Sequence, residues 1–215
     1  NDAPVITGTS SGAVTETDAT HLTDRGTLTL TDADISDTVT TSVTGVSVAG
    51  DGNIAGHIPT DSKLLSMFTT KGNEISGSTD TGTIEWTFDS GDKTFDYLAV
   101  GETVELTYTI TATDSKGATT TRDVLVTVTG SNDSPLISVK PESGDADSKA
   151  FGQNDAALSD GTAGGTLTLA DADLKDKVGV SVEKVEIDGS AGSAFAGTLP
   201  AGLTDAALKE MLSVQ

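Results

Sequence analysis

An internal repeat constrains this sequence more than any other feature, because a repeat fixes the architecture before single residues are interpreted. Asn1-Asp2-Ala3-Pro4 returns as Asn132-Asp133-Ser134-Pro135. Residues 26–34 (GTLTLTDAD) return as residues 165–173 (GTLTLADAD), with one mismatch in nine positions. We therefore expect two copies of one module, joined at Asn132-Asp133.

The repeat also predicts the domain boundaries. Residues 1–131 are expected to form a complete module, residues 132–135 a linker, and residues 136–215 the N-terminal part of a second module. Nothing in the second copy resembles residues 83–129, so the second module is expected to be incomplete in this sequence. One hypothesis is that it is the N-terminal half of a domain split by an insertion.

Residue periodicity predicts β-strands over most of the first copy. Thr and Leu alternate over residues 26–31, and apolar residues alternate with Thr and Glu over residues 102–113, as in half-buried strands. The inward-facing set slips by one residue between Val43 and Val46, which predicts a β-bulge. Residues 5–16 are interpreted as one edge segment that is broken at Ser10-Ser11-Gly12. About seven strands with short turns favour a β-sandwich.

One stretch departs from the strand period. Residues 60–69 place Leu64, Leu65, Met67 and Phe68 at helical spacing after Thr60, a residue type that is preferred at helix N-caps. Thr204 begins a matching stretch in the second copy. The predicted fold class is thus all-β, with tandem Ig/cadherin-like antiparallel β-sandwiches that each carry a short helix between the middle strands. The aromatic residues expected in the core are Trp86, Phe88, Phe95 and Tyr97.

The charge balance limits the partners. Asp and Glu number 33 against 12 Lys and Arg, for a formal net charge of −21. Such a surface repels nucleic acid and anionic membranes, so neither nucleic-acid binding nor direct membrane insertion is expected. It attracts cations instead. Cysteine is absent, so disulfides cannot rigidify the chain, and Ca²⁺ is the expected substitute because it prefers carboxylate and carbonyl oxygens.

Five motifs follow one another along the first copy: Asn-Asp-x-Pro, residues 26–34, 95–103 (FDYLAVGET), 107–114 (TYTITATD) and 126–133 (VTVTGSND). In this order they resemble the VCBS-type repeats, which are bacterial cadherin-like modules of giant RTX adhesins exported by type I secretion. The likeness covers residues 1–133 and the start of the second copy. It implies calcium-stiffened extender domains on the bacterial cell surface that act in attachment and biofilm formation. It also implies adjacent repeats of the same polypeptide as partners, with a host or biofilm ligand bound by other domains.

Strand order predicts two acidic poles, because loops at the same end of a sandwich lie together. Calcium takes six to eight oxygen ligands, and each pole offers several. The N-terminal pole is expected to bind Ca²⁺ through Asn1, Asp2, Asp32, Asp34 and Asp114. The joint between the modules is expected to bind Ca²⁺ through Glu16, Glu102, Asn132, Asp133, Asp171 and Asp173, an arrangement that resembles cadherin linkers. Weaker candidates are Asp18, Asp37, Asp96 and Asp176.

Catalysis is not expected. The sequence has no Gly-x-Ser-x-Gly elbow, phosphate-binding glycine loop or metalloprotease motif. Its two histidines, His21 and His57, and the absence of cysteine make a transition-metal site improbable. The alternative to an extender is a calcium-dependent carbohydrate-binding module of a secreted protein, which would need exposed aromatic residues or an open calcium position.

Overall fold

The structure is a computed structural model that describes the start of the chain almost continuously and part of the second copy. Two compact units are present, Asn1–Asp176 and Lys177–Gln215, and the domain boundaries given above stay predictions. The described residues are 1–17, 21–52, 54–73, 75–92, 94–144, 146 and 165–184.

The described part of the chain is an all-β fold built around two facing sheets, as the sequence predicted. One sheet has the strand order β1-β3-β7-β5, and the other has the order β2-β9-β8-β4-β6. The elements are β1 (Val5–Thr7), β2 (Ser11–Thr15), β3 (Thr23–Thr31), β4 (Thr38–Ala49), α1 (Asp61–Ser66), β5 (Phe68–Asn73), β6 (Ile75–Ser76), β7 (Thr81–Asp89), β8 (Thr103–Asp114), β9 (Thr119–Thr129), β10 (Leu136–Ser138) and β11 (Thr168–Ala170).

The edge segment at residues 5–16 differs from its prediction. It is divided between the two sheets: β1 pairs with β3, whereas β2 pairs with β9. The crossing passes through Gly8, whose φ of 113° suits a residue without a side chain. The β2–β9 pair is parallel, while the other pairs are antiparallel. The described part of residues 1–131 thus contains nine strands, more than the seven predicted.

The core lies between the sheets and follows the predicted alternation. Every second residue of β8, from Val104 to Asp114, is buried. The predicted core aromatics are confirmed, since Trp86, Phe88, Phe95 and Tyr97 are all buried. Burial of these rings stabilises the sandwich, because each removes a large apolar area from water.

The predicted bulge and helix are confirmed, with one correction. The β4–β8 register shifts between Val43 and Gly45. Thr60 caps α1, and its side chain accepts a hydrogen bond from the Lys63 N–H. The helix is shorter than predicted, because Phe68 already belongs to β5 and pairs with β7. The predicted second helix after Thr204 lies outside the described residues.

The second copy reproduces the first strand pairing of the first copy. In the first copy, Val5 pairs with Thr31 and β1 runs antiparallel to β3. In the second copy, Leu136 pairs with Ala170, and β10 runs antiparallel to β11 in the same register. The sequence repeat is therefore also a repeat of backbone structure over these strands.

Candidate metal centre

Glu16 is held beside the end of β9, where the chain leaves the first sandwich. This residue directly follows β2, and its N–H donates to the Thr129 carbonyl at the end of β9. Its carboxylate is 2% exposed, and its Oε2 accepts hydrogen bonds from the N–H and the hydroxyl of Ser131, at 3.3 and 3.1 Å. Its Oε1 is buried and has no hydrogen-bond partner among the described residues. A buried, half-satisfied carboxylate at this place is costly unless a cation compensates it.

Three carboxylates from three separate segments converge at this point. Glu16 follows β2, Asp96 lies in the loop between β7 and β8, and Asp133 lies in the linker. One carboxylate oxygen from each lies within 4.8 Å of the others. Two ligands on opposite sides of one Ca²⁺ are separated by about 4.8 Å, twice a Ca–O distance of about 2.4 Å. The three oxygens therefore fit the coordination sphere of one calcium ion.

Asp173 adds a further buried carboxylate to this region. It is 2% exposed, and its Oδ2 accepts the Asp133 N–H at 2.8 Å. Its Oδ1 is buried without a hydrogen-bond partner among the described residues. Burial raises the pKa of Asp173; the Asp133 N–H opposes the shift, and the charges of Asp176, Asp171 and Glu102 add to it. The raised pKa reflects first the cost of burying this carboxylate and then the neighbouring negative charges, and a divalent cation would offset both. We call Glu16, Asp96, Glu102, Asp133, Asp171 and Asp173 the linker cluster.

Lys175 brings a positive charge to the linker cluster. Its ammonium group forms a salt bridge with Oε1 of Glu102, a buried residue immediately before β8. It also donates to the Asp51 carbonyl at 3.2 Å. The hydrogen bond to Glu102 raises the pKa of Lys175, so the lysine stays charged. Within this cluster Glu102 is thus already paired with a cation from the chain itself.

Hydrogen bonds and a close backbone contact fix the chain around Glu102. The Ala99 N–H donates to Oε2 of Glu102 at 3.1 Å, and the Gly130 N–H donates to the Glu102 carbonyl at 2.8 Å. A Cβ at Gly130 would lie only 2.3 Å from the Leu98 carbonyl oxygen. Any side chain at position 130, directly after β9, would therefore clash with the backbone at Leu98, and this close approach places the linker beside the carboxylates.

The N-terminal pole shows a similar arrangement. The Asn1 amide donates to Oδ2 of Asp114 at 2.9 Å. Burial acts to raise the pKa of Asp114, but hydrogen bonds from Asn1 and from the turn after β8 hold it below its ordinary value. Asp32 is buried, and its Oδ2 has no hydrogen-bond partner among the described residues. Asp37 is also buried, and it accepts the Ser115 hydroxyl at 3.0 Å and approaches the Lys116 ammonium at 3.8 Å.

The same hydrogen bonds recur at both poles. At the N-terminal pole, the Asp2 N–H donates to Oδ2 of Asp34 at 2.6 Å, and the Asp34 N–H donates to Oδ1 of Asp32 at 2.9 Å. The linker repeats this chain of bonds from Asp133 to Asp173 and from Asp173 to Asp171, at 2.8 and 3.1 Å. The Asn-Asp segment and the Asp-x-Asp loop therefore form one structural unit that the chain uses twice.

The structure brings most of the predicted joint residues together. It differs from the prediction at Asp96 and at Asn132. Asp96 lies in the carboxylate triad although the sequence favoured it only weakly. The sequence did offer a signal for Asp96, because it lies six residues before Glu102, which was already assigned to this pole. The side chain of Asn132, by contrast, is exposed and donates to the Asp133 carbonyl. Asp18 lies outside the described residues.

The aromatic side chains of the described residues face the core. Trp86, Phe88, Phe95 and Tyr108 are at most 2% exposed, and Phe68 and Tyr97 are also buried. A sugar-stacking surface of the kind that the carbohydrate-binding alternative requires is therefore not formed by these residues. The described residues also include no helix of the length and apolarity needed to cross a membrane.

Comparison with known proteins found distantly similar solved structures. No family model matches the chain, and the search of curated proteins gave no match. A PapD-like domain of human CEP192 is 13% identical, with 59% of this chain and 84% of that chain covered and a TM-score of 0.37. AggA, the major subunit of aggregative adherence fimbriae type I from Escherichia coli, is 14% identical, with 60% and 96% covered and a TM-score of 0.33. The CooA pilin subunit of enterotoxigenic Escherichia coli is 16% identical, with 62% and 100% covered and a TM-score of 0.32.

Proposed function

We propose that this chain is a calcium-stiffened structural extender of a bacterial surface adhesin. The observation that carries the proposal is the carboxylate triad of Glu16, Asp96 and Asp133, whose oxygens lie within 4.8 Å of one another. These residues come from the first sandwich and from the linker that follows it. An ion bound by all three would fix the direction in which the chain leaves the sandwich.

The physical basis is the balance of charge in the linker cluster. Without cations, carboxylates at such distances repel each other, and movement of the linker relieves the repulsion. A Ca²⁺ ion reverses the sign of the interaction and binds only the arrangement in which the ligands converge. Because it binds the folded arrangement alone, it stabilises that arrangement by mass action. The consequence is a joint that is flexible in chelator and stiff in calcium.

The proposed setting is extracellular, at the bacterial cell surface. Adjacent repeats of the same polypeptide are the proposed partners, and other domains would bind the host or biofilm ligand. A structural role of this kind needs no catalytic residue. The large negative charge of −21 suits a rod that stays soluble and does not adhere along its own length.

Small-angle scattering and thermal melting, each with calcium and with chelator, test the proposal. We expect a larger maximum dimension and a higher Tm in calcium. Magnesium at the same concentration serves as the matched ion, and it should have a smaller effect because it dehydrates reluctantly and demands octahedral geometry. A chain whose scattering and Tm are the same in calcium and in chelator would rule out the extender.

A further inference from the structure

Glu102 differs from other members of the linker cluster in what its carboxylate contacts. Its Oε2 accepts the Ala99 N–H at 3.1 Å, and its Oε1 forms the salt bridge with Lys175. Glu16 and Asp173, by contrast, each have one buried oxygen that accepts no hydrogen bond from the described residues and that has no salt bridge among them. The chain therefore engages both oxygens of Glu102, whereas Glu16 and Asp173 each keep an oxygen for a further ligand.

The loop that carries Lys175 is anchored on the first sandwich at more than one point. The ammonium group donates to the Asp51 carbonyl at 3.2 Å as well as pairing with Glu102. The N–H of the preceding residue, Leu174, donates to the Tyr97 carbonyl at 3.3 Å. Because Glu102 is itself buried, these contacts hold a positive charge against a carboxylate that has little access to water.

The ammonium group lies in the same electrostatic environment as the carboxylate triad. Glu102 is close enough to Asp173 for its charge to act on that carboxyl. Oδ2 of Asp173 accepts the N–H of Asp133, which is a member of the triad. A positive charge beside these groups opposes the binding of another cation. An oxygen that the ammonium group already occupies is also withheld from that cation.

The first copy shows that the lysine is not needed to build this kind of loop. Ser36 occupies the position that corresponds to Lys175. The hydrogen bonds of the Asn-Asp segment and the Asp-x-Asp loop form there all the same, from Asp2 to Asp34 and from Asp34 to Asp32. The lysine therefore adds something to the joint that the loop geometry does not require.

We propose that Lys175 lowers the calcium affinity of the joint and so sets the calcium concentration at which the joint stiffens. It does so by withholding Glu102 as a ligand and by placing a positive charge beside the remaining carboxylates. The inference rests on the proposed function, because it requires calcium to bind the linker cluster. Ligand charge is one of the variables that move the Kd of calcium sites over orders of magnitude, and extracellular modules have weak Kd values of about 10⁻⁴–10⁻³ M.

A calcium titration followed by NMR tests the inference on the full chain. The amides of Asp133 and Asp173 report the joint, and those of Asp2 and Asp34 report the N-terminal pole in the same sample. Lys175→Met keeps an unbranched side chain but removes the charge. We expect it to lower the calcium Kd at the joint by about tenfold, the order of change that one carboxylate ligand makes, and to leave the response of the N-terminal pole unchanged.

Three further variants separate the role of this lysine from general effects of charge or folding. Lys175→Arg keeps the charge and should keep the wild-type Kd. Lys71→Met, on β5, removes the same charge elsewhere and should also keep it. In a Glu102→Gln background, Lys175→Met should tighten calcium binding less than in the wild type, because no carboxylate is released.

The outcomes distinguish a failure of this inference from a failure of the proposed function. If the wild-type joint binds calcium and Lys175→Met binds it equally or more weakly, the inference is wrong and the extender stands. An equal gain in affinity with and without the Glu102 carboxylate would also overturn it, since the lysine would then not act through Glu102. If calcium shifts none of the reporting amides at the wild-type joint, both the inference and the extender fail.

Discussion

Replacing Glu16 by Gln should raise the Tm in chelator but weaken the rise in Tm that calcium causes, and this combination separates an ion ligand from a merely structural carboxylate. The variant keeps the shape of the side chain and an oxygen that can accept the Ser131 hydrogen bonds. It removes one negative charge from the carboxylate triad with Asp96 and Asp133. The loss of charge relieves repulsion when no ion is present and removes an attraction when calcium is bound.

The distances give the size of the effect in chelator. At a separation of 4.8 Å, two unit charges repel by about 3 kcal/mol at an effective dielectric constant of about 20 and by about 1 kcal/mol in bulk water. Glu16 takes part in two of the three pairs of the triad, so the variant should be stabilised by at least about 2 kcal/mol without cations. For a chain of this size, that corresponds to a Tm about 4–8 °C higher.

The variant should also respond less to calcium than the wild type does. Calcium at 100 times its Kd stabilises the wild-type chain by about 2.7 kcal/mol, and a tenfold loss of affinity lowers this gain to about 1.4 kcal/mol. The calcium-induced rise in Tm of the Glu16→Gln variant should therefore be about half that of the wild type.

Differential scanning calorimetry of both proteins, in chelator and in calcium, measures the two effects. Glu85→Gln, on an exposed side chain of β7, is the control, and its calcium response should equal that of the wild type. A Glu16→Gln variant with a lower Tm in chelator and an unchanged calcium response would refute the assignment of Glu16 as a ligand.

Three further substitutions or titrations follow from the structure. Gly26→Ala should lower the free energy of unfolding by about 1–3 kcal/mol, because the new methyl group meets the rigid Trp86 ring. Urea unfolding followed by fluorescence measures this loss, and Gly45→Ala, at the β4 bulge, is the control that should leave the free energy of unfolding nearly unchanged. The hydrogen bond and charge of Asp89 raise the pKa of His21 above 6.5, so the pair stabilises the fold at pH values below about 6.5 and loses this effect as pH rises through the raised pKa. An NMR titration of His21 gives that pKa, which should return to about 6.5 in Asp89→Asn. In small-angle scattering, Lys175→Ser should have the same maximum dimension as the wild type in calcium and a smaller one in chelator, because the salt bridge to Glu102 is lost. The same maximum dimension as the wild type in chelator would show that this salt bridge does not hold the joint.

Much of the fold could be predicted from the sequence because it depends on local patterns. Alternation along β8 and the slip in β4 are visible in the residues themselves, and each reappears in the structure. The helix cap at Thr60 is equally local. The division of residues 5–16 between two sheets could not be predicted, because a parallel edge pairing depends on where β9 ends, more than a hundred residues later.

The candidate site divides in the same way. Repeated segments identified the Asn-Asp and Asp-x-Asp parts, since each appears twice in the sequence. Asp96 has no counterpart in a second motif, so the sequence favoured it only weakly. The fold then brings one of its carboxylate oxygens within 4.8 Å of one from Glu16. The partnership of Glu102 with Lys175 was also unforeseen, because a lysine in the second copy must reach across the joint to a corner of the first sandwich.

The N-terminal pole and the joint share the same hydrogen bonds but differ by one lysine, and this difference affects how each should respond to calcium. The Asp-x-Asp loops align residue by residue, and Ser36 in the first copy corresponds to Lys175 in the second. The joint within the chain therefore contains an ammonium group that offsets part of its negative charge at any calcium concentration. At the N-terminal pole the equivalent position is uncharged, and Lys116 approaches Asp37 from the turn after β8 at 3.8 Å. Since the lysine at the joint contacts a residue of the preceding sandwich, it links the two copies directly, whereas Lys116 acts within one sandwich. Under the proposed function, the joint at Asn132-Asp133 thus keeps part of its order without calcium, and the ion adds to a connection that the chain already makes.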